Sequence, residues 1–234
     1  MFLGVSQASC NNNFTICIFH IPGVIGCIDC THIAIYPPAV NDPINPEYIF
    51  VNRKSYHSIN TQLICDSSLK IIHVNARFPG STHDSHIWNS SNVEPLLRNI
   101  FTNGHEGYFL LGDSGYPLRP WLSTPIQNPQ NADEEEYNRR HASARATVER
   151  CNGLLKMRLR CLLKHRVLHY SPQAVSKIIN ACMVVHNICI ANNVQLFEHE
   201  DNAIDVGVIK VEAINEANAR CINPDLLADV FKAE

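Results

Sequence analysis

Three carboxylates stand out because of what surrounds them. Asp29 interrupts the apolar run Val24-Ile25-Gly26-Cys27-Ile28-Asp29-Cys30-Thr31-His32-Ile33-Ala34-Ile35. Burying an ionised carboxylate is costly unless it is paired, protonated or bound to a cation. Asp113 ends a second apolar run, Tyr108-Phe109-Leu110-Leu111-Gly112-Asp113. Glu149 is the single acid in Arg139–Arg166, a stretch with nine Lys or Arg. Two aspartates on neighbouring strands, with a glutamate from a flanking helix, would repel one another unless a cation lay between them. Hard divalent cations such as Mg²⁺ favour oxygen sites of this kind. Plainer readings compete: Asp29 as a strand-end carboxylate bonded to a backbone amide, and Glu149 as one member of an ion-pair network on a solvated helix face.

The elements needed to position these acids can be read in order. Val24, Ile25, Ile28, Ile33 and Ile35 give the first run a strand bias, bounded by Gly23 and Pro37-Pro38. Four prolines make Tyr36–Tyr48 a loop. Strand-like runs at Tyr56–Cys65 and Leu69–Arg77, joined by Asp66-Ser67-Ser68, complete an antiparallel three-stranded meander. The loop Phe78–Asp84 leads into a helix capped by Ser81 or Thr82, and a second helix covers Val93–Ile100. After the Tyr108–Asp113 strand, helical patterning runs from Asp133 to about Leu162. Ser171 caps a last helix with Pro172 at its first position, reaching Asn192. Its core stripe is Val175, Ile178, Ile179, Cys182, Val185 and Cys189. The expected fold class is a mixed α/β sheet flanked by helices.

On the wheel of the long helix, Val148, Cys151, Leu155, Leu159 and Leu162 form the apolar arc, with Glu149 at its border. Arg145, Asn152, Lys156 and Arg160 fall within about 60° of Glu149 at 100° per residue. This reads as a metal ligand beside a strip of phosphate-binding cations. The net charge of −3 conceals the polarity: residues from Val194 onward carry −6 and the rest +3. A concentrated basic segment suits a polyanionic partner.

Composition sets the remaining bounds. With 234 residues, 45% of them hydrophobic, there is ample material for a core. No apolar run is expected to span a bilayer, which takes roughly 20 residues, and no membrane partner is expected. Residues 1–18 are read as a leader outside the fold, 19–192 as one domain, and 193–234 as an acidic tail, partly helical or disordered. The ten cysteines are scattered and expected to be reduced. Cys27 and Cys30 have the C-x-x-C spacing of a zinc site. In a strand, however, their side chains point to opposite faces, and no second such pair completes four ligands.

Five segments fall in the order of a known family: Gly23–Ile33, Val51-Asn52-Arg53-Lys54-Ser55-Tyr56-His57-Ser58-Ile59-Asn60, Pro79-Gly80-Ser81-Thr82-His83-Asp84-Ser85, Leu110–Tyr116 and Val148-Glu149-Arg150. Over roughly Ile21 to Asn192 the chain resembles the nuclease domain of Harbinger-type transposases and of host proteins derived from them. The resemblance implies a ribonuclease-H-like fold, with Asp29, Asp113 and Glu149 as an Asp-Asp-Glu triad holding Mg²⁺ or Mn²⁺ for DNA phosphodiester chemistry. It also implies a supporting role for His83 and Asp84. Arg53 and Lys54 join Arg145, Lys156 and Arg160 as expected phosphate contacts. DNA, a Myb-like DNA-binding partner protein and a location in the nucleus, with the cytoplasm second, follow from the same resemblance. Family members carry a helical region before the first Asp that residues 1–18 do not resemble. A domesticated, non-catalytic binding module is therefore the alternative expectation.

Overall fold

The computed structural model describes residues 17–18 and 21–196. Residues 1–16 of the expected leader and nearly all of the acidic tail lie outside the described residues. Cys17–Ile18, at the end of that leader, form a two-residue antiparallel ladder with Ile21–Pro22.

Strand β1, Val24–Ala34, is the middle strand of a five-stranded sheet. On one side it pairs antiparallel with β2, Ser58–Cys65, which pairs antiparallel with β3, Ile71–Pro79. This is the expected meander. On the other side runs the short strand β4, Phe109–Leu111, parallel to β1, followed by β5, Leu122–Ser123, parallel to β4. The order is β3-β2-β1-β4-β5, the mixed sheet that the sequence led us to expect. Strand β5 was not foreseen, since two residues carry no period.

The turn between β2 and β3 is longer than its tripeptide. Asp66 Oδ1 accepts the amides of Ser68 and Lys70, both at 2.9 Å, and Leu69 takes a left-handed φ of 63°. Leu69 therefore belongs to the turn, and β3 starts at Ile71. Similarly, β4 stops at Leu111, so Asp113 stands two residues past the strand and not at its end.

Helix α1, Asp84–Asn89, has His83 at its N-cap, with no side-chain cap bond, so neither Ser81 nor Thr82 caps it. Helix α2 covers Val93–Thr102. Helix α3, Ala132–Arg158, starts one residue before the expected point because the Asn131 side chain accepts the Glu134 amide at 2.9 Å. It also ends sooner: Leu159 leaves helical geometry (φ −113°, ψ 74°), and Arg160–Leu162 form a 3-10 turn.

Helix α4, Pro172–Ala191, starts as expected, the Ser171 hydroxyl accepting the Ala174 amide at 3.4 Å. Its buried stripe is Val175, Ile179, Cys182, Met183 and His186, whereas Val185, expected inside, is exposed. By length and composition α4 could cross a membrane, at a mean hydropathy of 1.6, contrary to the sequence expectation. One stripe of it packs on β3 and α3, while Val184, Val185 and Ile188 are exposed. The core between sheet and helices holds Ile28, Ile33, Leu63, Ile64, Leu110, Val148 and Leu155, all fully buried. Burying each large apolar side chain contributes roughly 1.5–3 kcal/mol.

Candidate active site

A strand shows alternate side chains to its two faces. Cys27, Asp29 and Thr31 of β1 face α3. Cys27 Sγ donates to the Ala144 carbonyl at 3.4 Å, Arg145 Nη2 lies 3.7 Å from Asp29 Oδ1, and Lys156 Nζ donates to Thr31 Oγ1 at 2.6 Å. Helix α3 thus runs along β1 in the same direction.

The parallel β1–β4 register sets Cys27 opposite Leu111. Asp29 and Asp113 each lie two residues further on, Asp113 beyond the end of β4, and the Asp113 charge acts on the Asp29 carboxyl. Burial pushes the Asp29 carboxyl up to about 6; the Arg145 guanidinium and the Cys30 amide work against this, while the charges of Asp113 and Asp84 add to it. Asp113 is fixed by its own turn: its Oδ1 accepts the Gly115 N–H at 2.9 Å and its carbonyl the Tyr116 N–H at 3.2 Å. A Cβ on residue 115 would sit 3.0 Å from that oxygen, so glycine suits the turn.

Glu149 lies one helical turn beyond Arg145 and is exposed. The ion pairs among the described residues do not include it. Nor do any three His, Cys, Asp or Glu side chains among the described residues form a group placed to hold a metal ion. The structure therefore brings Asp29 to Asp113 and leaves Glu149 outside that pair, one turn from the arginine that touches Asp29. The donor chemistry fits a hard divalent cation. Two half-buried carboxylates of like charge that act on one another are what such an ion would relieve. At 3.7 Å the Arg145 contact is longer than a hydrogen bond and leaves the Asp29 lone pairs available.

The expected phosphate strip is only partly assembled. Arg145 is turned onto Asp29. Arg160 leaves the strip because α3 ends before it, and the 3-10 turn breaks the helical wheel on which the grouping rested. Arg53 and Lys54, exposed in the turn before β2, converge instead with Lys156 on the end of β1. Burial lowers the His32 pKa, the Asp84 charge opposes that, and Arg53, Lys156 and Lys54 lower it further. Lys156 is itself held below its ordinary value by burial first and by Lys54 second.

The other face of β1 carries Ile28, Cys30 and His32. Cys30 Sγ contacts the Tyr116 hydroxyl at 3.3 Å, and His32 Nδ1 contacts Ser58 Oγ at 3.1 Å. Asn52 Nδ2 donates to the same Ser58 oxygen at 2.8 Å. Asn60 Nδ2 donates to Asp84 Oδ1 and to the Thr82 carbonyl, both at 2.9 Å. Asp84 thus clamps the start of α1 to β2, on the face opposite to Asp29, while His83 is exposed at the N-cap. Sequence reasoning missed Asn60 and Tyr116. The polar alternation Ser58, Asn60, Gln62 within a strand buried throughout was the available signal.

The chain is similar to proteins already described. A family model described as DDE superfamily endonuclease matches residues 28–187. The Bos taurus protein named "Putative nuclease HARBI1" is 37% identical over 179 residues, 76% of this chain and 49% of that protein. The Homo sapiens protein of the same name is 36% identical over 179 residues, with the same shares. The Arabidopsis thaliana protein named "Protein ALP1-like" is 29% identical over 196 residues, 79% of this chain and 46% of that protein. The chain spans about half the length of these curated relatives. No solved structure matches it.

Proposed function

The chain belongs to the DDE superfamily endonucleases, and on that premise we propose that it cleaves DNA phosphodiester bonds with Mg²⁺ or Mn²⁺ at Asp29, Asp113 and Glu149. The observation that supports this reading is that the Asp113 charge acts on Asp29, whose strand packs against the helix bearing Glu149. Bound there, a divalent cation supplies Lewis-acid activation of a water and of the scissile phosphate. The chain's own residues do the rest. Asp29, raised to about 6, is ionised at neutral pH and adds its charge to that of Asp113. Glu149 offers a third carboxylate from α3. Arg145 balances the charge of Asp29, and Lys156, Arg53 and Lys54 draw the phosphate backbone along the end of β1. A Myb-like DNA-binding partner and a nuclear location belong to the same proposal.

The test is metal-dependent nicking of supercoiled DNA by purified protein. Asp113→Asn should lower the nicking rate at least a thousandfold, about 4 kcal/mol of barrier, with the melting temperature preserved. Nicking at the unsubstituted rate in that variant would remove Asp113, and the site with it, from the chemistry. The second reading is a non-catalytic DNA-binding module that retains the fold. The arginine standing on Asp29 favours it, since that pair balances the Asp29 charge without a metal. Absence of nicking by the unsubstituted protein in both Mg²⁺ and Mn²⁺, with DNA binding intact, would select it.

A further inference from the structure

Beyond the acids, the end of β1 runs into an aromatic cleft that the chemistry above does not use. The segment after α3 is stitched to that strand. Leu168 donates its N–H to the Ala34 carbonyl at 3.1 Å, and Tyr36 donates its own to the Leu168 carbonyl at 3.0 Å. This holds the Tyr36 ring stacked on His169, centroids 4.9 Å apart and planes at 26°. Tyr36 and Tyr170 are 58% and 59% exposed, large rings facing water. They line an open cleft of about 310 Å³ with Pro37, Pro38, Asp42 and His169. The prolines have fixed φ angles, so this wall is preformed. The acid in the lining is already engaged, Asp42 Oδ1 accepting the amides of Ile44 at 2.8 Å and Asn45 at 2.9 Å.

Cations lie along β1 and in the chain segment between α3 and this cleft. Lys156 sits at Thr31, Arg53 and Lys54 act on His32, and Lys164 Nζ lies 4.8 Å from the centre of the Tyr56 ring. Arg166 follows in the chain, also exposed. Cations tracking a backbone beside exposed aromatic faces are what a single nucleic-acid strand requires. Paired bases inside a duplex are stacked on one another and offer no free face to a tyrosine.

We propose that the Tyr36–His169–Tyr170 cleft stacks unpaired bases of a single-stranded segment of the DNA whose duplex lies at Asp29 and Asp113. This rests on the nuclease reading and adds a substrate class to it: duplex with a single-stranded flank. Tyr36 is seven residues beyond Asp29 on extended backbone, roughly 23 Å. At 3.4 Å per nucleotide of one strand, that places the stacked bases about seven nucleotides from the reacting phosphate.

The experiment compares a blunt duplex with the same duplex carrying a single-stranded tail, binding to the full chain with Asp113→Asn so that no strand is cut. 2-Aminopurine placed at successive tail positions should be quenched on binding, with the maximum confined to one or two neighbouring positions. Tyr36→Ala with His169→Ala should weaken the tailed duplex about fivefold to a hundredfold, the usual worth of a stacking platform, and leave blunt-duplex affinity unchanged. Tyr36→Phe should retain tail binding. Equal weakening of both DNAs, no weakening, or a flat quenching profile in the unsubstituted protein would overturn the proposal. So would binding of a proline-rich peptide in the cleft with no advantage for tailed DNA. Nicking is scored separately: loss of tail preference with metal-dependent nicking intact removes only the cleft, and tail preference without nicking removes only the nuclease.

Discussion

The two faces of β1 use similar residue types to opposite ends. On the α3 face, Asp29 feels the like charge of Asp113, Lys156 is held half-buried, and Arg145 approaches without closing a hydrogen bond. On the α1 face, Asp84, Asn60, His32, Ser58 and Asn52 are tied in short bonds that join strand to loop to helix. Both faces contain segments shared with the Harbinger-type pattern. The difference teaches that a shared motif can mark either chemistry or the clamp that holds chemistry in place. Half-buried carboxylates of like charge are the sign of the first, and side-chain hydrogen bonds that join separate elements that of the second, even where an atom such as Asn60 Oδ1 is left without a partner.

Breaking the closed face should cost the fold. The backbone of Gly80 passes so near β2 that a Cβ there would collide with Ser58 Oγ and with the Phe50 carbonyl oxygen. The carbonyl is backbone and cannot rotate away. Gly80→Ala should therefore destabilise by roughly 3 kcal/mol or more, as overpacking of a closed site does, read from urea denaturation. A loss below about 1 kcal/mol would mean that this face is as loosely built as the other, and the contrast would fail.

Breaking the open face should do the reverse. Asp29 titrates at about 6 in the folded chain against 3.8 for the unperturbed group. The folded state holds its proton to higher pH than the unfolded chain, so stability falls as pH rises from about 4 to about 6 and stays lowered above that. In EDTA at pH 8, Asp29→Asn should then stabilise the protein, by up to roughly 3 kcal/mol for a two-unit shift. The gain should vanish at pH 4. Thermal melts at the two pH values measure it, and a variant less stable at pH 8 would show that the Arg145 pair outweighs burial.

Much of this contrast was legible in the sequence for a physical reason. A carboxylate inside a β-branched run advertises its own cost, so Asp29 could be singled out, and Asp66-Ser67-Ser68 announced the turn that makes the meander. Asp113 could be placed at the end of an apolar run, though not the two-residue gap that follows β4. What could not be read depends on distance across the fold. The helical wheel put Arg145 and Arg160 beside Glu149, yet a wheel says nothing of where a long guanidinium stem reaches or where the helix stops. The clamp of Asn60 on Asp84 joins residues 24 positions apart on different elements. No local pattern encodes it.

The smallest expected effect concerns the cations, and it tests whether the open face ends at Arg145. Removing one cation that binds a phosphate of the duplex should flatten the plot of log K against log salt by about 0.9. Arg53 and Lys54 are exposed and Lys156 is half-buried at the end of β1, so replacing all three by Gln should flatten the slope by up to about 2.7. Lys156 should give less than its full share, because burial and Lys54 already disfavour its charge and because it donates one hydrogen bond to Thr31 Oγ1. Arg145→Gln should leave the slope unchanged, since its guanidinium neutralises Asp29 and not a phosphate. Arg160→Gln, beyond the helix end, should behave like Arg145→Gln. Fluorescence anisotropy on one blunt duplex at several salt concentrations separates the cases. A slope that flattens equally for Arg145→Gln would mean that DNA draws this side chain off Asp29. The arginine would then be counted with the phosphate-binding cations, and the Asp29 carboxylate would be freed as DNA binds.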